Sequence, residues 1–164
     1  DEFSNFARLP EPNLMYTDIV KIINDVINDY KNIHNDIIFE LELNDHTFTL
    51  KIDKSQISRV FQNLIINSIH SIKEKNNLNG KISIKTSVEN NHFNILVEDN
   101  GIGLKYEKDE IIKPYFTTKK KLGGSGLGLA IVEKILFDHN ADFSIENRTD
   151  KIEGAKAEIR FELN

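Results

Sequence analysis

The chain has no cysteine in 164 residues, so neither disulfides nor thiolate metal sites can hold it together. That absence also suits a reducing compartment. An excess of positive charge is missing too. The net charge is -5, which argues against broad nucleic-acid binding, because such surfaces need a basic face. No apolar run approaches the roughly 18–20 residues that cross a bilayer, and no signal-peptide pattern opens the chain. Internal repeats and long linkers are absent as well, which leaves one domain. A domain near this size hides roughly 68–70% of the surface its unfolded chain exposes, enough to fold without a staple. Any site for a polyanion must therefore be a local device.

Histidine offers little chemistry by position. His34, His46, His70, His92 and His139 are scattered, none is followed by an acidic residue, and none shows zinc-ligand spacing. No Ser-His-Asp arrangement follows from them. Asn, Ile and Lys are abundant, a bias that weakens any single asparagine or lysine as a signal.

Periodicity predicts the elements. Asp1 to Pro12 reads as the tail of a helix stopped by Pro10 and Pro12, with Phe3, Phe6 and Ala7 at helical spacing, as in a fragment of a longer protein. Thr17 or Asp18 is placed to cap a helix reaching about Asn32, with Ile19, Ile22, Ile23, Val26, Ile27 and Tyr30 as its buried stripe. Ile37 to Leu43 and Thr47 to Ile52 alternate like the strands of a hairpin turning at Asn44-Asp45-His46. A second helix is expected over about Ser55 to Lys75. A second hairpin follows, from Lys81 to Glu89 and from His92 to Glu98, through Asn90-Asn91. Gly101 to Ser125 shows little periodicity and reads as a loop. A helix from about Gly126 to His139 and strands Asp142 to Asn147 and Ala155 to Leu163 complete the chain. This order predicts one mixed, mostly antiparallel sheet with helices on one face, a two-layer α/β sandwich.

Three stretches carry chemistry. Asn63 and Asn67 are four apart, so they leave the second helix on one side, and His70 and Ser71 continue that polar stripe. An amide oxygen is a hard ligand suited to Mg²⁺, though a solvated helix face explains the same pattern. Asp99 ends a strand and enters the glycine turn of Gly101 and Gly103. A carboxylate there can accept a hydrogen bond from the exocyclic amine of adenine, which guanine does not offer at that position. A plain Asp-Asn-Gly turn is the simpler alternative. Gly124-Ser125-Gly126-Leu127-Gly128-Leu129 opens a helix, whose unpaired amides and dipole form an anion site. No Gly-Lys-Ser/Thr follows it, and a loop rather than a strand precedes it, so neither a Walker loop nor a dinucleotide fingerprint is present. Lys119, Lys120 and Lys121 stand just before it, as mobile charges for phosphates or as a solvated run. The combination points to ATP.

Taken together these stretches resemble the catalytic and ATP-binding domain of two-component sensor histidine kinases, in the gyrase, Hsp90, histidine kinase and MutL (GHKL) group. Phe61 to Ser68 matches the N box, Asp99 to Gly103 the first glycine box, Pro114 to Lys119 the F box and Gly124 to Leu129 the second glycine box. Asp1 to Arg8 is similar to the end of the dimerisation helix in nitrogen-regulation sensor kinases of the NtrY or NtrB type. The resemblance implies the Bergerat ATP-binding fold with a mobile ATP lid over residues 13–164, behind the end of a dimerisation helix and linker at 1–12. It implies that Asn67 binds Mg²⁺ and that Asn67, Ser71, Asp99, Gly101, Gly103, Thr118, Lys121, Gly124, Ser125, Gly126, Leu127, Gly128 and Leu129 line the nucleotide. Asn63, Asn67, His70 and Lys119 would serve transfer of the γ-phosphoryl.

Two departures matter. Related ATPases place a glutamate base four residues before the magnesium asparagine, where this chain has Asn63, so hydrolysis and serine phosphorylation lose ground. Gly154-Ala155 stands where Gly-Thr is usual, removing a hydroxyl near adenine. The acceptor histidine of such kinases lies on a dimerisation domain, with a response-regulator aspartate as the next acceptor. This chain should thus bind ATP and Mg²⁺ as a monomer, without phosphorylating itself. The resemblance implies a full-length homodimer with this domain in the cytoplasm, and is compatible with an anchor in the inner membrane. A nucleotide-binding module without transfer activity and a GHKL-type ATPase remain the other readings.

Overall fold

A computed structural model describes residues 9–44, 46–76, 78–104 and 128–164. Chain order runs β1 (Met15–Asp18), α1 (Ile19–Ile33), β2 (Ile38–Glu42), β3 (Thr49–Ile52) and α2 (Lys54–Glu74). It continues through β4 (Lys81–Glu89), β5 (His92–Asp99), α3 (Gly128–Asp138), β6 (Asp142–Asn147) and β7 (Ala155–Glu162).

Side-chain oxygens start the first two helices. Asp18 accepts from the amides of Val20 and Lys21, and Asp53 accepts from that of Gln56, each filling an orphan donor of the first turn. Asp53 does more than cap. Its second oxygen takes the amide of Asn13 at 2.8 Å, and its own N–H donates to His139 Nε2 at 3.0 Å. His139 Nδ1 lies 2.8 Å from the Ile135 carbonyl, so the ring carries its proton on Nδ1 and accepts on Nε2. One imidazole thereby ties the end of α3 to the start of α2. His139→Ala is expected to cost about 1–3 kcal/mol by orphaning the Asp53 N–H. A melting temperature equal to the parent's would contradict this role.

Five strands form the main sheet in the order β2-β4-β5-β7-β6, with β2 and β4 parallel and the other pairs antiparallel. Ile82 and Ile84, Phe93, Ile95 and Val97, and Ala157, Ile159 and Phe161 alternate onto one buried face. The helices cover that face, α1 and α3 flanking α2. The core is therefore a single layer between helices and sheet, as the alternation predicts. Asn90 and Asn91 both take positive φ, 52° and 60°, the geometry of a tight two-residue hairpin turn.

The first expected hairpin does not form. Ile38–Glu42 and Thr49–Ile52 are strands, but β2 joins the main sheet beside β4 while β3 pairs antiparallel with β1, a strand the periodicity misses. Two side chains pull the connection apart. Thr86 Oγ1 accepts the Asn44 amide at 2.9 Å, holding the end of β2 to the main sheet. Asp18 Oδ1 accepts the Phe48 amide at 3.0 Å, drawing the start of β3 towards α1. Phe48 then stacks on Phe93 with ring centroids 4.3 Å apart.

Candidate functional site

Asn63, Asn67 and Ser71 lie at successive four-residue steps of α2, a row about 12 Å long at 1.5 Å per residue. The two ends of this row meet different partners. At one end stands Gly128, the first residue of α3. A Cβ built there would lie 3.8 Å from Asn63 Oδ1 and 3.9 Å from Asn67 Oδ1. The positive end of the α3 dipole thus faces the two amides. Asn63 Nδ2 is buried without a hydrogen-bond partner among the described residues. A buried amide hydrogen in that state is costly unless a ligand oxygen meets it.

At the other end, Ser71 meets the first glycine turn. Its Oγ accepts the Ile102 amide at 3.0 Å. Gly101 packs so closely that a Cβ would run into Ser71 Oγ and lie 2.6 Å from the Ser71 carbonyl carbon. Glycine is required here by close approach of backbone to backbone. Gly101→Ala is expected to lower both stability and ligand affinity, by about 1–3 kcal/mol of overpacking. Ser71→Ala should not rescue it, because the obstructing carbonyl carbon remains; full rescue in thermal melts would contradict the packing argument.

Asp99 closes the row. It is buried to 4% exposure, and its Oδ1 accepts the amides of Gly101 at 2.9 Å and Ala155 at 3.3 Å. Two main-chain donors on one oxygen fix the direction of the carboxylate. Ala155 therefore contributes through its main chain, and the missing threonine hydroxyl leaves that contact intact. Gly103 takes φ +75°, and a Cβ there would lie 2.6 Å from Asn147 Oδ1. Asn147 pairs with the main chain of Leu104 through both amide atoms, at 2.6 and 3.0 Å.

Sequence reasoning overlooked Asn147 and its neighbour Arg148. Arg148 Nη1 donates to the Asp99 carbonyl at 3.1 Å, while Nε and Nη2 fork onto Asp150 at 3.0 and 2.6 Å. That hydrogen-bonded pair raises the arginine's pKa and holds the Asp150 carboxyl below its ordinary range. No periodic pattern marks either residue, since each acts on main chain far away in sequence.

The expected site residues thus fall into two groups. Asn63, Asn67 and Ser71 line one side of α2, with Gly128 beside the first two and Gly101 packed on the third; Asp99 holds the Gly101 amide, Gly103 lies against Asn147, and His70 is half-buried on the same helix. Leu129 follows Gly128 in α3. Thr118, Lys119, Lys121, Gly124, Ser125, Gly126 and Leu127 lie outside the described residues, as do the expected lid and F box. The residues present fit an adenine nucleotide and a hard cation: an orphaned amide hydrogen and amide oxygens stand on α2 beside a helix start, and a buried carboxylate lies beyond the glycine turn that packs on Ser71.

Comparison with known proteins identifies the family. Residues 52–164 match the family model for histidine kinase-, DNA gyrase B- and HSP90-like ATPases. A sensor histidine kinase of the NtrY-like type from Rickettsia bellii is 37% identical over 99% of this chain, which spans 26% of that protein. The nitrogen regulation protein NtrY of Azorhizobium caulinodans is 31% identical over 99% of this chain, which spans 21% of it. The chain therefore covers about a quarter of the length of these relatives. Among solved structures, the catalytic domain of histidine kinase ThkA superposes with a TM-score of 0.77 at 27% identity, covering 92% of this chain and 95% of that one. ThkA in complex with the response regulator protein TrrA gives a TM-score of 0.79 at 23% identity, over 99% of this chain and 46% of that one. Family model, similarity to sensor kinases over 99% of this chain, and fold concur: the chain belongs to the histidine kinase-, DNA gyrase B- and HSP90-like ATPase family.

Proposed function

We propose that this chain is the ATP- and Mg²⁺-binding catalytic domain of an NtrY-like sensor histidine kinase, serving transfer of a γ-phosphoryl to a histidine on a dimerisation domain. One observation carries the reading: a single row on α2 joins the helix start at Gly128 to the carboxylate of Asp99 through Asn63, Asn67 and Ser71.

Each residue then has a task. Asp99 accepts the exocyclic amine of adenine, its orientation set by the Gly101 and Ala155 amides. The Asn67 amide oxygen ligates Mg²⁺, and Asn63 donates its orphaned hydrogen to a phosphate oxygen. His70 stands next to them on the phosphate side, and the α3 N-terminus adds its dipole. The resemblance assigns nucleotide contacts also to Thr118, Lys119, Lys121 and Gly124 to Leu127, which lie outside the described residues. When bound, ATP supplies the phosphoryl group, and Mg²⁺ neutralises the charge that develops during in-line transfer. The protein contributes position and electrostatics rather than a covalent step.

Asn63 supports a kinase over a hydrolase, because a carboxamide cannot take a proton from water as a glutamate can. ThkA's complex with a response regulator supports such a regulator as the next phosphate acceptor here. Among the described residues no helix is long and apolar enough to cross a membrane; similarity to NtrY-like sensor kinases supports a cytoplasmic catalytic domain. Incubation of this chain with ATP, Mg²⁺ and a separately produced dimerisation segment should yield phosphohistidine on that segment. ATP binding without any transfer would favour a purely regulatory nucleotide module. Steady phosphate release by the chain alone would favour an ATPase.

A further inference from the structure

Main-chain pairing between β5 and β7 ends at Glu98 opposite Lys156, one residue short of Asp99. Beyond that point side chains replace the ladder. The Ala155 N–H turns to Asp99 Oδ1, and the Asp99 carbonyl receives Arg148 Nη1 at 3.1 Å. Gly154 presses on the same carbonyl, where a Cβ would lie 2.9 Å from its carbon. The Arg148 N–H meanwhile bonds the Gly154 carbonyl at 2.9 Å. A single residue thus fixes both the β6–β7 turn and the end of β5.

The guanidinium is held on its other sides as well. Asp150 takes the fork described above, and Glu98 Oε2 lies 3.6 Å from Nε. The Arg148 side chain is only 13% exposed, unlike the freely solvated pairs that contribute little to a fold. A planar fork with five donors can bond a carboxylate and a carbonyl together, which an ammonium reproduces poorly.

We propose that Arg148 is a positioning residue for base selection, tying the Asp99 carbonyl to the β6–β7 turn and so setting the direction in which the Asp99 carboxylate meets a purine. This inference rests on the reading of Asp99 as the adenine acceptor. Arg148 acts through Asp99 and not on the nucleotide.

Two readouts test it. In nitrogen–proton correlation spectra of the nucleotide-free protein, Arg148→Ala should move the Gly101 and Ala155 amide resonances, the two donors to Asp99 Oδ1, while those of α1 stay in place. In calorimetric titrations, Arg148→Ala should bind ATP about tenfold more weakly, with the preference for ATP over GTP narrowed. Arg148→Lys should fail to restore that preference. In an Asp99→Asn background, Arg148→Ala should remove little further affinity. Unmoved Gly101 and Ala155 amides, or an equal ATP loss in both backgrounds, would overturn the proposal. If Arg148→Ala does not fold, Asp150→Asn loosens the fork with the arginine kept; it should shift the same two amides, and their constancy would again overturn it. A parent protein that binds no ATP refutes the proposed function instead, and the amide shifts still decide whether Arg148 governs Asp99.

Discussion

Asp99→Asn should reduce ATP affinity by about a hundredfold or more while leaving the fold intact. The size of the loss follows from geometry. Two main-chain donors, Gly101 and Ala155, converge on Asp99 Oδ1, so any replacement must keep an acceptor there. An asparagine satisfies them with its carbonyl oxygen, which forces its NH₂ into the position of the second carboxylate oxygen. That NH₂ then confronts the adenine amine, donor against donor. Sites built to hydrogen-bond a substrate group penalise such mismatches by several orders of magnitude, far beyond the loss of one neutral bond. The same inversion should improve the relative affinity for GTP, whose base carries an acceptor where adenine carries the amine. Calorimetric titration of parent and variant with both nucleotides checks this. Equal ATP affinity would show that Asp99 does not read the base.

Asn67→Ala should have the second largest effect, and on a different quantity. Its amide oxygen is the proposed Mg²⁺ ligand, and magnesium accepts few protein ligands, so the loss of one is felt fully. Phosphoryl transfer to a supplied dimerisation segment should fall on the order of 10²–10³-fold, because the metal stabilises charge that appears only in the transition state. The enhancement of ATP binding by Mg²⁺ should disappear, while metal-free nucleotide binding changes little. Alanine is a better helix former than asparagine and the residue is only half-buried, so α2 should persist. Transfer at the parental rate would remove Asn67 from the metal site.

The two variants separate the row on α2 from the β5 carboxylate beyond its Ser71 end, and the sequence displays that row plainly. A four-residue spacing on an amphipathic helix needs only local information, and so do the tight turn at Asn90-Asn91 and the stripe of α1. Where pairing depends on distant side chains, local information fails. The alternation of Ile38–Glu42 and Thr49–Ile52 is real, but their partners are chosen by Thr86 and Asp18, 42 and 30 residues from the groups they bind. Met15–Asp18 has the burial pattern of a half-exposed edge and no apolar alternation to announce it. Within the candidate site the motifs point to Asn67, Asp99 and Gly101, whose spacing is itself the signal. Arg148 stayed hidden because its contribution is one bond to a carbonyl 49 residues away. Ala155 illustrates the converse. Its side chain departs from the usual threonine, yet its amide holds Asp99 all the same.

Family membership carries the fold, whereas the chemistry of the row depends on its own geometry. The most direct test of the central claim is calorimetric titration of the unmodified chain with ATP and with GTP, each with and without Mg²⁺. The account predicts saturable 1:1 binding of ATP, strengthened by Mg²⁺, and GTP binding weaker by orders of magnitude. Equal affinity for the two nucleotides, or no binding of ATP, would contradict it.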